Sequence, residues 1–251
     1  MDPKAPELMY LNEQEQAQPA SSLGYNWALS LSTDRTIDGF GGATENTLSL
    51  RRYTEYGSIA LQTLDLRRFG ETDHAWAVDA YPRLWQGAYA NLRYQQSPSA
   101  VLYPGASWRA ELYQGIGNGW ELSASRDELG FSSHVKINGL GAAKYWGDYY
   151  VRVRYQTVKS DSSSGNGIRV VGRYYYQGNA DNYLEASASS GRSDDFEGAL
   201  ISPSRSNSRG MAWNSFLNRS WGFKVSYGLA EDNSSAAGLE RSFGASLIYR
   251  W

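Results

Sequence analysis

The chain has no cysteine. That removes disulfide frameworks, thiolate metal sites and thiol nucleophiles together. It has two histidines in 251 residues. They are His74 in "GETDHAWAV" and His134 in "GFSSHVKI", with no ligand spacing between them, so no metal site is expected. No stretch approaches the roughly 18 apolar residues of a membrane helix. The net charge is −2, so no bulk field draws the chain to nucleic acid, and none is expected as a partner. The opening "MDPKAPELMYLNEQEQAQPA" has neither a basic start nor an apolar run, so it is not a signal peptide. We read 1–22 as a periplasmic linker or domain-boundary segment, with a short helix as the alternative.

What is plentiful is aromatic and small. There are 19 tyrosines, 9 tryptophans and 26 glycines, while Leu, Ile and Val are sparse for a sandwich core. Tyrosine and tryptophan favour sites where one end of the ring is dry and the other wet, such as a membrane–water boundary.

From Leu23 onward, about ten residues alternate and a turn follows. In "DYYVRVRYQ", Tyr149, Val151, Val153 and Tyr155 share one face, against Tyr150, Arg152, Arg154 and Gln156. In "SWGFKVSYGL", Trp221, Phe223, Val225, Tyr227 and Leu229 oppose Gly222, Lys224, Ser226 and Gly228. Aromatic ends around an aliphatic middle are the profile of a strand crossing a bilayer between two girdles. The pattern predicts about fourteen strands: 23–33, 42–54, 57–69, 72–82, 86–96, 105–116, 119–128, 132–144, 147–159, 167–177, 181–190, 207–217, 220–230 and 238–251. Segment 57–69 is the irregular one. Ile59 and Leu61 fall on one parity and Leu64 and Leu66 on the other, which either a bulge or a wrong strand assignment would explain. The odd-numbered connections include "SPSAVLYPG" and "GRSDDFEGALISPSRSNS", whereas even ones such as "YTEYG" and "NRSW" are tight. Such alternation fits an all-β, transmembrane, antiparallel up-and-down barrel over 23–251, with short periplasmic turns and longer extracellular loops. A soluble β-sandwich has no reason to alternate its loop lengths.

The last stretch, "SFGASLIYRW", places Phe243, Leu247, Tyr249 and Trp251 on one face, with Ile248 the exception on the other. A final strand of this kind closes a barrel on its first strand, leaving no edge. Its terminal aromatic resembles the signal that such proteins present to the barrel-assembly machinery, an expected partner alongside outer-membrane lipid.

Several stretches together resemble one family. They are "VDAYPRLWQGAYANLRYQQS", "LYPGASWRAELYQGIGNGWELSASRDELGFSSHV", "GLGAAKYWGDYYVRVRYQT" and "RYYYQGNADNYLEASASSGRS". In that order they are similar to the YaiO family of outer-membrane β-barrels. The resemblance implies localisation in the outer membrane and, in longer relatives, a preceding periplasmic scaffold of TPR type. It also implies, for some members, a setting of surface-glycan synthesis and export. It supplies no catalytic residues and no cofactor.

The face opposite the apolar one is the expected lumen. It carries Arg51, Arg93, Arg109, Lys136, Arg152, Arg154, Arg169, Arg173, Lys224 and Arg250, with fewer acids: Asp79, Glu111, Glu121 and Glu185. Tyr81, Tyr89, Tyr113, Tyr150, Tyr175 and Tyr183 are interleaved. Rings of arginine favour anions, and tyrosine faces suit sugars. The pathway residues are therefore expected to be Arg93, Arg109, Arg152, Arg154, Arg169, Arg173, Tyr89, Tyr150 and Tyr175. The same side chains can instead fill and brace a barrel, with Arg109/Glu111 and Glu121/Arg126 as internal pairs. The 191–208 loop is the candidate plug or gate, with a disordered surface loop as the equal alternative. The leading function is a channel conducting an exported polysaccharide. A non-conducting anchor or receptor is the alternative. An enzyme at the outer rim is less favoured, because a Ser–His site at His134 beside Ser132 and Ser133 has no further support.

Overall fold

The computed structural model describes residues 16–39, 41–161, 164–176, 180–191, 206–232 and 238–251. Alternation of apolar and polar side chains is carried by fourteen strands. They are β1 (Trp27–Asp38), β2 (Gly41–Thr54), β3 (Gly57–Arg68), β4 (Glu71–Trp85), β5 (Ala88–Gln96), β6 (Ala106–Gly117) and β7 (Trp120–Gly130). The second half is β8 (His134–Trp146), β9 (Tyr149–Lys159), β10 (Ser164–Tyr175), β11 (Tyr183–Gly191), β12 (Ser206–Phe216), β13 (Trp221–Asp232) and β14 (Leu239–Arg250). Each strand pairs antiparallel with its chain neighbours, and β14 pairs with β1 to close the barrel. Closure satisfies every strand edge, which an open sheet in lipid could not do.

Closure is completed by Trp251. Its carbonyl accepts the backbone N–H groups of Asn26 and Trp27, each at 2.9 Å, and its own N–H donates to the Trp27 carbonyl at 3.1 Å. The Trp251 ring stacks on Trp27 and Tyr249, and Tyr249 packs on Trp221. These rings form part of an aromatic girdle at the end of the barrel that carries the short turns. Phe243, Leu247 and Trp251 are exposed, as are Leu31, Leu61, Leu140 and Leu184 on other strands. The outer surface is thus apolar, and the mean hydropathy of −0.56 reflects only the alternation with a polar interior.

Two strands differ from expectation. The first begins at Trp27 rather than Leu23. The four-residue helix α1 (Ala20–Leu23) precedes it, and Gly24 at φ 71° ends that helix in the left-handed region, where a strand cannot continue. β3 is regular throughout and has no bulge. Leu64 and Leu66 point inward and are buried with Ala43, Ala75, Ala77 and Tyr103. The irregularities lie elsewhere, between Arg83 and Trp85 after Pro82, and between Gly115 and Gly117. Proline offers no N–H to the ladder, which accounts for the first.

The lumen as candidate functional site

The interior is built asymmetrically. From β2 to β11 the inward positions carry arginines, acids and tyrosines. On β12, β13, β14 and β1 they carry mainly Ser and Gly, including Gly210, Ser226, Gly228, Gly244, Ser246, Ser30 and Ser32.

On the crowded side, small residues let long ones lie flat. Gly139 and Gly141 of β8 face inward beside Ser125 and Ser123 of β7. A Cβ at Gly139 would lie 2.8 Å from Arg154 Nε, and one at Gly141 would lie 3.5 Å from Arg152 Nε. Through this valley the two β9 arginines cross β8 and reach acids on β6 and β7. Arg152 pairs with Glu111 and donates to Ser123 Oγ at 3.2 Å. Arg154 donates to Ser125 Oγ at 2.7 Å and lies 3.5 Å from Asp127 and 3.8 Å from Glu111. Arg109 donates through Nε to Asp127 at 2.5 Å. Asp127 is 1% exposed, and charge-assisted bonds of this kind are what make such burial tolerable.

A second group stands on β10 and β11. Arg173 bonds Glu185 at 2.5 Å and lies over the rings of Tyr150 and Tyr183. Tyr150, Tyr175 and Tyr183 are buried together with Ala143. Tyr89 and Tyr113 stack in parallel at 4.5 Å, and the Tyr89 hydroxyl donates to Glu121 at 3.1 Å. Ala17, ahead of α1, is seated on that ring pair, and Gln16 accepts from the Tyr53 hydroxyl. Arg51 pairs with Asp79, which also accepts from Asn91 at 2.7 Å.

The expected pathway residues therefore divide. Arg109, Arg152 and Arg154 form one braced group, and Arg173, Tyr150 and Tyr175 another, while Tyr89 stands under Ala17. Arg93 and Arg169 line cavities. Arg93 donates to Gln95 at 3.0 Å and to Gln62. It borders a cavity of about 350 Å³ with Asp34, Glu45, Lys224, Ser32 and Ser246. Arg169 borders another of about 330 Å³ with Asp34, Glu185, Arg209, Lys224 and Glu240.

Three expectations are corrected. Lys136 is exposed on the outer face, on the parity of Leu140, because Val135 and Ile137 take the inward positions. Arg126 faces outward too and bonds Glu128 and Asn138, so it cannot pair with the inward Glu121. Arg109 makes its hydrogen bond to Asp127, directly opposite it on β7, with Glu111 a second electrostatic partner rather than the bonded one. The sequence reading missed the inward acids Asp127, Asp34 and Glu45. Strict parity from Glu121 marks Asp127, and from Arg51 it marks Glu45.

The segment that enters the lumen is 97–105, between β5 and β6. Asp73, 1% exposed, collects the backbone N–H groups of Val101, Leu102 and Tyr103 at 2.7–3.1 Å. Ser97 Oγ donates to the His74 carbonyl at 2.8 Å. Tyr103 is thereby held over Leu64 and Leu66. Burial, and next the Glu45 carboxylate, raise the pKa of the Tyr103 hydroxyl, which stays neutral at any physiological pH. The candidate plug at 191–208 lies, for residues 192–205, outside the described residues.

The histidines stand apart from all this. His74 is exposed beside Asp65. His134 is exposed, and its backbone N–H donates to Asp161 at 3.2 Å. Among the described residues no group of His, Cys, Asp and Glu is arranged to hold a metal ion.

A closed antiparallel barrel with an apolar exterior, aromatic girdles and a polar interior is an outer-membrane β-barrel. The YaiO membrane beta barrel domain matches residues 27–196, and the chain belongs to that family. Its place is the outer membrane, with the short turns periplasmic and the opposite connections extracellular. No curated protein sequence matches it. Among solved structures it is similar to a bacterial polysaccharide outer membrane secretin, at 9% identity and TM-score 0.58, covering 90% of this chain and 99% of the other. Omp33 of Acinetobacter baumannii gives 9% identity and TM-score 0.54, covering 90% and 98%. The CymD monoaromatic hydrocarbon channel gives 10% identity and TM-score 0.54, covering 92% and 90%. At these identities the likeness is one of fold.

Proposed function

We propose that the barrel is a conduit for a single polysaccharide chain, narrowed at rest by the 97–105 segment. The observation that carries this is the cavity of about 350 Å³ between that segment and the Ser/Gly wall. Its lining mixes hydroxyls, the amides of Gln62 and Gln95, and the rings of Tyr103 and Phe131. Hydroxyl edges and ring faces match those of a sugar. The charges around it are mixed, with Asp34 and Glu45 against Arg93 and Lys224. Most expected pathway arginines are already engaged by carboxylates. The reading therefore favours a neutral or mixed-charge glycan over a polyanion. The family's fold and the likeness to a protein described as a polysaccharide secretin agree with it. The chain then acts as a channel and not as an enzyme, with a polymer-delivering periplasmic partner, such as a TPR-type scaffold, at the turn end.

One observation favours a non-conducting anchor instead: Ala17 occupies the interior on the Tyr89–Tyr113 pair while 97–105 enters from the other end. Planar-bilayer recording on the refolded chain separates the two. Small steps that widen when 98–104 is replaced by a short Gly/Ser turn, and that neutral oligosaccharides interrupt, support the conduit. A folded barrel that stays silent after that replacement rejects it.

A further inference from the structure

On its outer face the barrel carries a row of side chains with no role in the lumen. Arg35 of β1 stands directly opposite Thr44 of β2, and Thr44 directly opposite Arg67 of β3. All three alternate with inward neighbours. Arg68, next to Arg67, turns inward and pairs with Asp38, while Arg35 and Arg67 are exposed. Strands lie about 4.8 Å apart, so the two guanidinium stems rise roughly 10 Å from each other with the threonine hydroxyl between them. Arg241 of β14, opposite Ile37, stands one pleat further toward the extracellular rim. Three arginines thus gather on one patch of the lipid-facing surface.

Two acids border the patch on the outer face. Asp65, one pleat below Arg67, bonds the His74 ring. Glu231 of β13 lies diagonal to Arg241, opposite Leu239. Among the described residues no ion pair is made by Arg35, Arg67 or Arg241. Their positive charge is left facing outward.

The height of the row gives it meaning. Arg35 is directly opposite Phe243, which packs against Tyr227 at 5.0 Å. Phe243 and Trp251 are the outermost aromatics on the outer face of β14, and above Phe243 the apolar run is interrupted by Arg241 before Leu239. Eight residues at about 3.4 Å, tilted by 35–45°, span roughly 20 Å of the bilayer normal. Trp251 is in the periplasmic girdle, so Arg35, Thr44 and Arg67 stand at the upper border of the apolar band. That is the level of the phosphates of outer-leaflet lipids. Guanidinium groups bind phosphate oxygens in pairs, and a hydroxyl between two of them supplies a further donor.

We propose that Arg35, Thr44 and Arg67, with Arg241 above them, form a site on the barrel's outer wall for the phosphate of a phosphorylated glycolipid of the outer leaflet. The Arg–Thr–Arg row takes the phosphate, and Leu31, Leu48 and Leu61 below it take the acyl chains. The site does not depend on whether the lumen conducts.

The test uses the full chain, folded in non-ionic detergent, and native mass spectrometry with a bisphosphorylated acyl-disaccharide lipid. One lipid is expected to bind saturably, and the same lipid stripped of its phosphates about tenfold or more weakly. The Arg35→Gln/Arg67→Gln double variant should show a similar loss, Thr44→Val a smaller one, and Lys144→Gln at the periplasmic end none. Retained heat-modifiable mobility on gels confirms that each variant is folded. Should the double variant misfold, the comparison of intact with dephosphorylated lipid on the native chain still decides. Equal binding of the two lipids, native-like binding by the folded double variant, or equal binding of phosphatidylglycerol overturns the proposal.

Discussion

Asp73 holds a loop by its backbone alone. Three N–H groups from consecutive residues converge on one buried carboxylate, so the grip depends on charge and not on the loop's side chains. Asp73→Asn keeps the shape but turns one acceptor oxygen into a donor. That leaves N–H groups unsatisfied, at a cost of about 1–3 kcal/mol. The expected outcome is a folded barrel whose 97–105 segment becomes open to protease, with conductance raised relative to the native chain. Gly139 tests the valley. A methyl there meets Ser125 Oγ at 2.5 Å and Arg154 Nε at 2.8 Å. Gly139→Ala should therefore displace Arg154 from Asp127 and cost about 1–3 kcal/mol, read as a lower urea midpoint in lipid vesicles. In an Arg154→Gln background the same substitution should cost clearly less, because the group in its way has shortened. The arginines themselves were legible as inward from parity. Their partners were not, because Arg154 reaches across two strand spacings and Arg152 across three, past residues whose only signal is smallness.

At the level of the strand, alternation is legible wherever one face is apolar and the other small or polar, as on β9, β13 and β14. It fails on β3, where Leu64 and Leu66 lie inward under a loop that no period announces, and at the start of β1, where Gly24 turns the chain before Trp27. The family resemblance in the central segments and the parity of the strands agree on the barrel independently. The outer face of β14 carries a prediction of its own. We propose that Phe243, Leu247, Tyr249 and Trp251 form the segment handed to the barrel-assembly machinery. Trp251→Ala keeps the backbone bonds to Asn26 and Trp27 but removes the stacking on Trp27 and Tyr249. It should slow folding assisted by reconstituted assembly machinery several-fold, while spontaneous folding in detergent changes little. An equal slowing of both would assign Trp251 a purely packing role.

Across the whole molecule, the basic count of the lumen misleads, because acids on β6, β7 and β11 meet the arginines of β6, β9 and β10. Removing the Arg152–Glu111 ion pair whole, with Gln at both positions, should therefore leave the reversal potential in a salt gradient nearly unmoved. Replacing Arg152 and Arg154 alone with Gln should destabilise the barrel by about 2 kcal/mol or more, since Glu111 and Asp127 lose partners while buried. A large shift toward cation preference with unchanged stability would instead make them pore charges.

The seam between β1 and β14 is bonded like every other seam of the barrel, and Asn26 and Trp251 meet there at the periplasmic rim. The first and last strands are neighbours in space as surely as any two joined by a turn. A circularly permuted chain, with Trp251 linked to Asn26 by a few glycines and new ends cut at the 147–148 turn, should close into the same cylinder.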